Sequence, residues 1–103
     1  MSVKNGMRPV HPGEILRDEL EELELSANAM AKALGVPANR VTAILKGQRG
    51  VTADTALRLS KFFGTTPQVW LNLQLTYELR LAEIESGKAI AKNVKTWEAV
   101  ARG

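Results

Sequence analysis

Apolar residues recur at intervals of three and four along most of this chain, and the two-residue alternation of a half-buried strand is absent. Ile15, Leu16, Leu20 and Leu23 fall on one helical face behind "HPGE". There Pro12 and Gly13 suit a helix start and Glu14 favours a first turn, so the spacing predicts a helix over about residues 14 to 24. Ser26 is an N-cap residue, and Ala27, Met30, Ala31 and Leu34 share a face, which predicts a second helix ending at the left-handed cap offered by Gly35. Pro37 fits the first turn of a third, short helix that buries Val41, Ile44 and Leu45 and stops at Gly47.

Thr52 and Asp54 open a fourth helix with Ala56, Leu59 and Phe63 inward and Gly64 at its end. Thr66 and Pro67 then open a fifth, the longest. On a helical wheel this fifth helix carries two apolar stripes. Trp70, Leu73, Tyr77, Leu81 and Ile84 form one, and Leu71, Leu75 and Leu79 form another on nearly the opposite side. One stripe can face the domain's own core. The other marks an interface, and a dimer through Leu71, Leu75 and Leu79 is expected. The competing expectation is that a tail bearing Ile90, Val94 and Trp97 folds back to cover it. The fold class is therefore all-α, with five helices in residues 1–85 and a C-terminal tail or short helix in 86–103.

Length narrows this further, because 103 residues can bury one core and not two. With no cysteine, disulfides, cysteine zinc sites and thiol nucleophiles are excluded, and a reducing cytoplasm is the expected location. No apolar run reaches the roughly 20 residues that span a bilayer, and the first 13 residues lack the apolar centre of a signal peptide. His11 stands alone, and no nucleophile, base or metal-ligand grouping occurs at a useful spacing. The chain is thus expected to be no enzyme and to use no cofactor, metal or small-molecule substrate. Beside Pro12, His11 is expected to cap or pack near the first helix.

Charge separates along the chain. Six acids lie between Glu14 and Glu24 against one Arg17, whereas Lys32, Arg40, Lys46 and Arg49 carry the next stretch with no acid before Asp54. A basic segment is the footprint of a nucleic-acid binder, although a solvated face has the same composition. The break at "GVP" fits a DNA-binding motif, while spacing alone leaves an ordinary αα-corner of a helical bundle equally open. Two short helices joined by a three- or four-residue turn with glycine form a helix-turn-helix, whose second helix enters a major groove while the first crosses the backbone.

"LSANAMAKALGVPANRVTAILKG" followed by "RGVTADTALRLSKFFGTTPQVWLNLQ" resembles the Xre-type, lambda-repressor-like helix-turn-helix proteins, and the leading "NGMRPVHPGEIL" narrows the resemblance to HigA-type antitoxins of HigB/HigA modules. The resemblance spans about residues 5 to 80. It implies a homodimer that represses its own operon at a palindromic double-stranded DNA operator and neutralises a HigB toxin, a ribonuclease of the RelE type. Two departures from the family pattern stand out. Ala27 occupies a position where Gln is frequent and commonly touches DNA, and Gln68 and Val69 stand where Glu-Phe is frequent.

Within the third helix Ala38, Asn39, Arg40, Thr42, Ala43 and Lys46 remain as outward positions. Asn39 suits a bidentate contact to adenine, and Ala38 or Ala43 a thymine methyl. Arg40, Lys46 and Arg49, with Thr42 and Gln48, suit phosphates. Because a ribonuclease carries cationic surface, the acidic segment with Glu14, Glu21, Glu22 and Glu24 is the expected toxin-docking surface.

Overall fold

The structure, a computed structural model, describes residues 8–103. Residues 5–7 of the family-like leading segment lie outside the described residues.

His11 begins the first helix. Its Nδ1 accepts the Gly13 amide at 2.8 Å while the Glu14 carboxylate accepts the His11 amide, so α1 spans Pro12–Leu23. It thus starts two residues before the position expected from spacing, because the imidazole rather than a proline-glycine turn provides the cap. Glu24 closes α1 in the left-handed conformation at φ 54°. Next, α2 spans Ala27–Leu34, with the Ser26 hydroxyl accepting from the Ala29 amide at 3.0 Å and Gly35 ending it at φ 73°. The short α3, Ala38–Leu45, has Pro37 as its N-cap residue in extended conformation, one position outside the first turn in which spacing places it; Lys46 ends it. The fourth helix, α4, spans Ala53–Phe63 between Thr52 and Gly64.

Thr66 and Pro67 open α5, which spans Pro67–Asn93. The boundary expected at residue 86 falls inside it. A six-residue α6, Trp97–Arg102, follows with the Thr96 hydroxyl accepting from the Ala99 amide at 3.1 Å. All regular structure among the described residues is helical.

The core is built by Leu16 and Leu20 of α1, Met30, Ala31 and Leu34 of α2, Val41 and Ile44 of α3, Val51, Ala56 and Leu59, and Trp70 of α5. Helix α1 packs on α3 and α5, α2 packs on α3 and α4, and α4 runs along α5. Each large apolar side chain in this core contributes about 2 kcal/mol by leaving water. Two expectations change here. Val51, in the loop before α4, belongs to the core. Ile84, assigned to the inward stripe of α5, is 56% exposed, since that stripe leaves the core after Leu81. Beyond that point every residue except Gly87 is exposed, and the molecule measures 59 × 24 × 21 Å because α5 projects from the globule.

Candidate DNA-binding surface

Three residues, 35–37, separate α2 from α3. Amides of Gly35 and Val36 close the last turn of α2 by donating to the carbonyls of Lys32 and Ala31 at 3.1 and 3.0 Å, and the left-handed Gly35 then turns the chain. Val41 and Ile44 are buried and fix the inner face of α3, so Ala38 and Asn39 stand exposed in its first turn. Lys46, Gln48 and Arg49 are exposed at its far end and in the loop that follows. Thr42 and Ala43 are half-buried, as is Arg40, while Ala27 packs against the core and leaves Asn28 and Ala29 outward at the start of α2.

Arg40 is held. Its Nη1 donates to Oδ2 of Asp54 at 2.5 Å, and the same oxygen accepts from Nε of Arg58 at 2.9 Å. Arg58 continues to the end of α2, where its Nη1 donates to the Leu34 carbonyl at 2.9 Å. Hydrogen bonds from Arg58 and then Arg40 keep the Asp54 carboxyl below its ordinary range, so it is ionised. Sequence spacing marked Asp54 only as a helix-start residue and did not mark Arg58 at all.

The loop after α3 is tied down from three sides. Arg17 of α1 donates from Nη2 to the Leu45 carbonyl at 2.9 Å, placing a cation at the negative end of α3. From α5, Gln74 accepts the Val51 amide at 2.8 Å. The buried His11 ring faces Gly47 and stacks edge-on against Tyr77 with centroids 4.9 Å apart. Burial lowers the His11 pKa, against weaker opposing effects from the Glu14 charge and the Arg49 backbone, so the ring stays neutral and able to cap. Arg17 and Gln74 are contributions that local pattern does not reveal.

The other expected sites lie elsewhere on the molecule. Leu75 and Leu79 are 54% and 59% exposed on α5, whereas Leu71 is half-buried against the core. Ile90, Val94 and Trp97 are themselves exposed and do not cover them. Glu21, Glu22 and Glu24 are exposed, but Glu14 is engaged: it caps α1 and takes a paired contact from Arg8 at 2.9 and 2.8 Å, which lowers its pKa. Among the described residues no grouping of acids and histidine could hold a metal, and no helix is long and apolar enough to cross a membrane.

A helix-turn-helix family model matches residues 16–70. Virulence-associated protein I of Dichelobacter nodosus is 56% identical over 81 residues, which cover 78% of this chain and 75% of that protein. Among solved structures, an addiction module antidote protein of a HigA family from Coxiella burnetii is 62% identical with a TM-score of 0.86, covering 87% of this chain and 99% of that one. The Pseudomonas aeruginosa antitoxin HigA with higBA promoter is 48% identical with a TM-score of 0.83, covering 85% and 97% respectively. With likeness over 85–87% of this chain at these identities, and with the turn, caps and exposed third helix in place, the chain belongs to the helix-turn-helix family and, within it, to the HigA-type antitoxins.

Proposed function

We propose that the protein is a cytoplasmic antitoxin that represses its own operon as a homodimer and neutralises a HigB/RelE-type ribonuclease toxin. The observation that carries this is the exposed first turn of α3 on a fold that matches, along nearly its whole length, an antitoxin described with its promoter DNA. In this reading Ala38, Asn39 and Ala43 face base edges, and Arg40, Thr42, Lys46, Gln48 and Arg49 face phosphates. Leu75 and Leu79, with the rim of Leu71, join two copies, so that two recognition helices about 34 Å apart meet successive major grooves of a palindrome. Toxin docks on the exposed acids Glu21, Glu22 and Glu24, with Glu14 contributing only through the cap it makes. Residues 1–85 carry these functions.

Titration of the protein on the DNA upstream of its own gene, beside random DNA and at several salt concentrations, tests the proposal. Preferred binding to the upstream DNA, weakening as salt rises, is expected. Equal affinity for the two DNAs at every salt, or none for either, would favour the second reading, a helical interaction module without operator binding, for which Ala27 at the frequent Gln position speaks. For the toxin, Glu21, Glu22 and Glu24 changed together to Lys should slow association with the purified toxin and remove its salt dependence. Unchanged kinetics would place docking elsewhere.

A further inference from the structure

We propose that Asp54 is a positioning residue for DNA specificity, acting by holding the Arg40 guanidinium in one orientation at the mouth of the recognition helix. The inference rests on the DNA-binding reading above. Arg40 lies in the first turn of α3 and Asp54 in the first turn of α4, fourteen residues apart in sequence. A single carboxylate oxygen receives both Arg40 and Arg58, and Arg58 reaches on to the Leu34 carbonyl, so one connected set of bonds links α2, α3 and α4 around the helix-turn-helix.

Stability alone does not account for such a set, since the Asp54 side chain is 56% exposed and exposed ion pairs contribute little. Affinity does not account for it either. A carboxylate close to a phosphate-binding surface weakens binding to every DNA sequence alike. What the contact adds is geometry. A guanidinium has five donors; Asp54 takes one on Nη1 and leaves others for the nucleic acid. A free arginine would lose its rotamer freedom on binding and could settle on any phosphate within reach. The Arg40 side chain, only 24% exposed, has already lost that freedom and presents its remaining donors in one direction. Asp54 therefore exchanges general affinity for a fixed contact that only a correctly seated duplex meets.

A double-mutant cycle reads this directly. Wild type, D54A, D54N, R40A and D54A/R40A are titrated by fluorescence anisotropy on the upstream DNA of the gene and on a random duplex over a range of salt. D54A should raise random-DNA affinity and lower the operator-to-random ratio several-fold. D54N, which keeps an acceptor oxygen, should restore part of the ratio, and it answers the same question if D54A melts early. In the R40A background D54A should leave the ratio unchanged. A D54A protein whose affinities for both DNAs shift by the same factor, or whose ratio falls as far without Arg40 as with it, overturns the proposal. A wild type with no preference for its upstream DNA overturns the DNA-binding reading itself, and this inference with it.

Discussion

Gly13 of α1 packs so tightly on Ile44 of α3 that a Cβ built on it would lie 1.9 Å from the Ile44 carbonyl oxygen. Both sides of this contact are backbone, so neither can yield by rotating a side chain. In an ordinary helix Gly→Ala stabilises by about 0.5–1 kcal/mol. Here the sign reverses: Gly13→Ala should destabilise by about 3 kcal/mol and lower Tm by more than about 10 °C, because α1 must move off the recognition helix. Gly87, also helical but with nothing within 4 Å of an added Cβ, is the internal control, and Gly87→Ala should stabilise slightly. Urea unfolding of both variants checks this; a neutral Gly13→Ala would contradict the contact.

A pH dependence follows from His11. Nδ1 accepts the Gly13 amide only while unprotonated, and burial lowers the pKa in the folded chain from an ordinary value of 6.5. The unfolded chain binds a proton more readily, so the stability from His11 is complete above about 6.5 and is lost as pH falls from there through the lower folded value. Glu14 and Asp54 also have lowered pKa values, but their contributions are lost only below their ordinary values of 4.5 and 3.8. The urea midpoint should therefore drop between about pH 7 and pH 5 before the carboxylates titrate. Asn caps helices without titrating, so His11→Asn should flatten this drop. An equal drop in His11→Asn would assign the effect to another group.

The exposed stripe of α5 makes a separate prediction. Leu75→Glu with Leu79→Glu puts charge on two positions that touch little of the protomer's own core, so the fold and its far-ultraviolet spectrum should persist. Sedimentation at micromolar concentration should show a dimer for wild type and a monomer for the variant, with operator binding much weakened. A monomeric wild type would remove this interface.

Which parts of the fold were legible follows from range. Ser26, Gly35, Thr52 and Gly64 mark helix ends through bonds made within a few residues, and Pro67 starts α5 through its fixed φ, although the Thr66 side chain makes no capping bond. Arg17, Arg58 and Gln74 act across 28, 24 and 23 residues, where no local spacing reports them. The exposed first turn of α3 was visible because Val41 and Ile44 declare its inner face, but the engagement of Arg40 by Asp54 was not, since it depends on where α4 lies. The continuation of α5 past Ser86 was missed for a different reason. One glycine costs a helix only about 1 kcal/mol, and the following "KAIAK" favours helix strongly enough to absorb it.

In the proposed function Asn39, in the first turn of α3, reads sequence while Lys46, at its end, only holds the backbone. Asn39, exposed in that first turn, suits a bidentate contact to a base edge, and Lys46, exposed beyond the last turn, offers a flexible point charge to a phosphate. The deciding measurement is the affinity of Asn39→Ala and Lys46→Ala for upstream and random DNA across salt. Asn39→Ala should cost about 1–3 kcal/mol on the upstream DNA and little on random DNA. Lys46→Ala should weaken both alike and reduce the salt slope by about one. Equal losses on both DNAs for Asn39→Ala, or a changed base preference with an unchanged slope for Lys46→Ala, would contradict these roles.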